Sequence, residues 1–134
     1  MDSGNEAVLQ KLQQLCVRIS SLEDQYDESL DSAYSELLEF LLHESSHQPV
    51  LESQLVGFVR QFRHARELGG APLSIDALAY VMHTLRWSAV LRAAEIEVEE
   101  YFAPRRDAAL FRLTDAFNDG WGEADNYERY RKAP

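Results

Sequence analysis

Between Gly4 and Pro49 the chain carries neither glycine nor proline, and a stretch that long, rich in Leu, Glu, Gln and Ala, is one that only helix accommodates. Within it Val8, Leu12, Leu15, Ile19, Leu22 and Tyr26 recur at steps of three and four, which puts them on one narrow helical face. The next apolar set, Leu30, Ala33, Leu37, Leu38, Leu41 and Leu42, is out of phase with the first, and the segment between them is strongly polar. The pattern predicts a first helix over 5–22, a corner over 23–29 and a second helix over 30–46, with a single long bent helix as the alternative.

The remaining glycines and prolines mark further boundaries. Pro49 suits the first turn of a third helix over 50–68, where its missing N–H is not needed, and Gly69-Gly70 suits that helix's end. Leu51, Leu55, Phe58, Val59, Phe62 and Leu68 supply its buried stripe. Ser74 can cap a fourth helix over 74–102, whose inner face reads Ile75, Leu78, Met82, Leu85, Ala89, Ala93 and Ile96. Pro104 restarts the chain in a fifth helix over 105–119, with Leu110, Phe111, Leu113, Thr114 and Phe117 inside, and a tail follows over 120–134. No segment alternates apolar and polar residues as a strand does. The expectation is an all-α protein, an antiparallel bundle of four or five helices with a C-terminal tail, forming one domain over 1–134.

Composition agrees with one compact domain: 134 residues, 46% hydrophobic and 27% charged. The apolar runs are too short for a membrane-spanning helix. The acidic start, Met1 to Glu6, lacks the basic and apolar regions of a secretory signal, and the lone Cys16 permits no internal disulfide, so a cytoplasmic location is expected. Cys16 lies beside the first apolar seam and reads as a small core residue.

The formal net charge of −10 argues against nucleic acid as a partner, because the long-range field repels phosphate. Residues 1–52 hold eleven acids against only Lys11 and Arg18, whereas the other 82 residues hold twelve acids and eleven bases. Glu23, Asp24, Asp27, Glu28 and Asp31 gather at the first corner with no basic neighbour in the local sequence.

His43-Glu44-Ser45-Ser46-His47 resembles the H-E-x-x-H motif of zinc metallopeptidases, in which two imidazoles one helical turn apart hold the metal and the glutamate acts on its water. Pro49 follows almost at once, no strand is at hand to align a substrate, and nothing selects a third ligand among Glu67, Glu95 and Glu97. The string therefore reads as the polar end of the second helix, with no catalytic residue, metal or cofactor assigned. Arg60, Arg63 and Arg66, with His64, could fork a carboxylate or pair with the acids of the first two helices. Glu95, Glu97, Glu99 and Glu100 crowd the end of the fourth helix against its dipole. No P-loop, dinucleotide fingerprint or glycine-flanked nucleophile occurs.

What remains is a protein that acts by binding another protein. In size, acidity and helical content the chain resembles small bacterial immunity proteins and antitoxins, and that resemblance implies a toxin with a basic active site as partner. It carries no residue assignments with it. An acidic surface steers toward such a cleft and can occlude it. The corner acids would then set the association rate, with Tyr26, Trp87, Trp121 and Tyr127 as aromatic anchors. The alternatives are a helical adaptor or self-associating protein, a homodimer closing over the Val8–Leu22 seam, and behind them the zinc peptidase.

Overall fold

The computed structural model describes residues 3–62, 72–102 and 108–131. Among these the chain is all-α, with six helices and no strand. They are α1 (Ser3–Asp24), α2 (Leu30–His43), α3 (Gln48–Gln61), α4 (Ile75–Leu85), α5 (Ser88–Glu97) and α6 (Ala108–Asp115). Short 3-10 turns follow at Ser45–His47, Ala124–Asn126 and Glu128–Tyr130, and a π-helical turn, Val98–Phe102, extends α5.

The corner predicted over 23–29 is present, and the single bent helix is not. Helix α1 ends in a pair of hydrogen bonds, Tyr26 N to Glu23 O at 3.2 Å and Asp27 N to Leu22 O at 3.1 Å, around Tyr26 in the left-handed region. The Pro49 prediction also holds, since the proline occupies the first turn of α3. The predicted end of that helix near Gly69-Gly70, with Arg63, His64 and Arg66, lies outside the described residues, as do Pro104, Arg105 and Arg106.

Helix α4 is the centre of the fold. Ala77 through Met82 are all buried, so this helix is covered on every side, by α2 and α6 among others. Helix α5 packs on α3 and α6, and α1 lies on α2. The α1 seam is spent inside the molecule: Val8, Leu12, Leu15, Cys16 and Ile19 all belong to the core. The seam is therefore not an open apolar stripe, and a homodimer closing over it would have to open the core first. Burial pushes the Cys16 thiol up to about 12, so the sulfur is a packing group and not a nucleophile at neutral pH.

Apart from shifts of two residues at both ends of α1 and at the start of α3, three boundaries differ from the sequence reading. Helix α2 stops at His43 instead of residue 46, because Glu44 leaves helical geometry at φ −96°, ψ 36°. The helix expected over 74–102 is two helices, broken at Arg86, whose φ is 50°. The break resets the buried face, so that Val90, Ala93, Ala94 and Glu97 turn inward while Ala89 is exposed. The helix expected to reach residue 119 ends at Asp115 in successive tight turns. Leu110, Leu113 and Ala116 fill the core there, and Phe111, assigned to the inner face by its spacing, is exposed.

The tail docks on the helices through rings. Tyr127 lies 5.9 Å from Tyr34 and 5.1 Å from Tyr80, and stacks on Trp121 at 5.8 Å with a 20° interplanar angle. Tyr130 donates its hydroxyl hydrogen to the Tyr80 carbonyl at 2.6 Å, with Thr84 Oγ1 at the same distance from that hydroxyl. The His83 Nδ1–H donates to the Ala116 carbonyl at 2.7 Å, and its ring packs edge-on to Tyr130.

Candidate functional site

The corner between α1 and α2 holds the acids singled out by sequence, and the structure divides them into two kinds. Glu23 is an internal strut. Its Oε2 accepts the Tyr34 hydroxyl from α2 and the Ser74 hydroxyl from the N-cap of α4, each at 2.5 Å. Ser74 Oγ in turn accepts the Ala77 N–H at 3.1 Å, so one carboxylate ties three helices together. Asp31 accepts the Glu128 backbone N–H at 3.0 Å and so fastens the tail. Asp27 accepts the backbone N–H of Ser29 at 2.8 Å as well as the Ser29 hydroxyl, which sets up the first turn of α2 and holds the Asp27 carboxyl below its usual range.

Asp24 and Glu28 are the other kind: both are exposed, and neither carboxylate has a partner among the described residues. Between them stands Tyr26, 94% exposed, with no ring contact or side-chain hydrogen bond among the described residues. Its φ of 51° is a conformation that costs a side-chain-bearing residue about 1–2 kcal/mol, and it takes the position at which helices usually carry glycine. Nothing among the described residues repays that cost through the tyrosine side chain. A strained, exposed aromatic flanked by two exposed carboxylates at the tip of a helix corner has the chemistry of an outside contact.

The other anchors named from sequence are elsewhere. Trp87, at 7% exposure, is core at the start of α5, and Trp121, at 4%, is covered by the tail. Tyr127 is half-buried among Tyr34, Tyr80 and Trp121, and burial raises its phenol well above the usual range. These three hold the tail and core together; of the four rings only Tyr26 is offered to solvent. The excess acid of residues 1–52 is likewise partly consumed at home: Glu36 pairs with Arg18, Glu39 with Arg129, and Glu52 accepts the Ala89 N–H at 3.0 Å.

The H-E-x-x-H string does not form one helical turn. His43 ends α2, Ser45–His47 is a 3-10 turn, and the Glu44 carboxylate lies 3.1 Å from His47 Nδ1, closed on the imidazole it would have to serve. Among the described residues no group of three His, Cys, Asp or Glu side chains is placed to hold a metal ion. Arg60 is exposed on α3. Of the acids ending α5, Glu97 is 1% exposed, whereas Glu95, Glu99 and Glu100 face solvent. No described helix is long and apolar enough to cross a membrane.

Sequence reasoning missed one polar row. Asp31, Ser35 and Glu39 stand at i, i+4 and i+8 on α2 and receive the tail through Glu128 N–H and the Arg129 guanidinium, which donates to Ser35 Oγ at 3.0 Å and to Glu39. The four-residue spacing was the available signal; the distant partner, some ninety residues on, was not. Comparison with protein-family models, curated proteins and solved structures found no match for this chain.

Proposed function

We propose that this protein binds a basic partner protein through the α1/α2 corner and inhibits it by covering a cationic cleft, in the manner of small bacterial immunity proteins and antitoxins. The observation that carries the reading is Tyr26, 94% exposed on a left-handed backbone between the exposed carboxylates of Asp24 and Glu28. The two acids steer the encounter, and the ring supplies rigid contact area with few torsions to freeze. Trp87 and Trp121 are not part of this surface, since exposing either would unpack the core.

The test starts from co-purification and mass spectrometry in the native host and proceeds to kinetics with the identified partner. Asp24→Lys with Glu28→Lys is expected to slow association by about tenfold at low salt and to flatten its salt dependence. Tyr26→Ala is expected chiefly to speed dissociation, by about tenfold or more. Association indifferent both to salt and to all three substitutions would refute the corner as the binding face.

A further inference from the structure

A cleft of about 510 Å³ opens where the tail crosses α2, lined by Asp31, Ser32, Ser35, Tyr80, Glu128 and Arg129. Two features make it more than a dent in the surface. Tyr80 is 0% exposed, and its hydroxyl, beside the Arg129 guanidinium, is buried with no hydrogen-bond partner among the described residues, although an unsatisfied buried hydroxyl costs about 1–3 kcal/mol. The charge of the cleft is also uneven. Arg129 is neutralised by Glu39, while the Glu128 carboxylate has no partner among the described residues and Asp31 uses only one oxygen, on a backbone N–H. Ser32 is exposed at the rim, its hydroxyl without a partner among the described residues.

We infer that this cleft is a binding site for a guanidinium group, the side chain of an arginine presented by the basic partner. A guanidinium brings five donors in a plane and no acceptor, which matches a set made of two carboxylates, a serine hydroxyl and a phenol oxygen. An ammonium, with three donors at one point, cannot reach acceptors spread around a cleft of this volume. The internal Arg129 shows the same chemistry at the next position along α2, where Ser35 and Glu39 already hold a guanidinium. Asp31 belongs to both the acidic corner and the cleft, so the arginine would seat beside the steering surface. The inference rests on the protein-binding reading above, and it adds the residue chemistry that the partner must bring.

The test uses the full chain and a small probe, so its failure is read separately from any failure to bind a partner. Propylguanidinium, titrated against labelled protein and followed by NMR, is expected to saturate at millimolar concentrations with its largest shifts at Ser32, Ser35, Tyr80 and Glu128. Asp31→Asn, which keeps an acceptor for the Glu128 N–H, should weaken the probe about tenfold, and Tyr80→Phe about threefold. Ser32→Ala, an exposed position that cannot unfold the protein, should weaken it about twofold, and Glu95→Gln on α5 should change nothing. Shifts that never saturate and follow all exposed carboxylates alike would overturn the site. Butylammonium binding as tightly as propylguanidinium would overturn its assignment to arginine, as would a titration unmoved by Asp31→Asn, Tyr80→Phe and Ser32→Ala together.

Discussion

Tyr26 and Arg86 both carry a φ near +50°, where glycine is the ordinary choice, and each ends a helix at a corner of the chain. Their surroundings are opposite. Arg86 sends Nε to the His83 carbonyl at 3.1 Å and Nη2 to Asp119 at 2.8 Å, and the Trp87 beside it is core. Its side chain thus does structural work, closing the turn on the segment after α6. Tyr26 makes no such contact among the described residues. Two residues share the same backbone cost, and only Arg86 has an internal use for its side chain among the described residues; that difference, and not strain alone, is why the proposal rests on Tyr26.

The contrast can be broken most forcefully from the Arg86 side. Trp121→Ala should cost about 3–5 kcal/mol, because it removes a buried ring that Tyr127 stacks on and His83 packs against at 5.0 Å. Urea denaturation reads this directly, and a loss below about 1 kcal/mol would mean that the tail is only loosely docked. A matched pair sharpens the comparison. Tyr26→Gly should stabilise the protein by about 0.5–1 kcal/mol, since it relieves the left-handed backbone and gives up no contact. Arg86→Gly gains the same relief but loses the bonds to His83 and Asp119, so it should come out near neutral. Equal stabilisation by the two glycines would erase the distinction between the corners.

The smallest effect lies in the acid limb. Ser29 lowers the Asp27 carboxyl in the folded state, so the stability it contributes is present above the ordinary carboxylate value and is lost as pH falls through the depressed one. Asp27→Asn should therefore flatten the decline in unfolding midpoint below about pH 4, and an unchanged acid profile would show that Ser29 does not hold the corner.

Most of the helices were legible because apolar spacing and the placement of proline are local properties. The corner over 23–29 was marked by a phase slip and a run of polar residues, and α3 by Pro49. The break at Arg86 was not legible. Thr84-Leu85-Arg86-Trp87 contains no glycine, proline or cap, and the turn depends on Asp119, which lies thirty-three residues away. The candidate site divides in the same way. Sequence placed five acids at one corner, but it could not tell that Glu23 would be taken by Tyr34 and Ser74 or Asp31 by the tail, because those partners come from other helices.

By itself, then, the sequence determined an all-α chain, its first corner and the acidic character of that corner, since each follows from residue type and spacing within a few turns of helix. The tertiary structure decided which of those acids other helices and the tail engage, which of the named aromatics faces solvent, and where the predicted fourth helix divides into α4 and α5. These outcomes turn on hydrogen bonds and ring contacts between residues far apart in the chain, such as Arg86 with Asp119 and Arg129 with Glu39, and no local pattern encodes them.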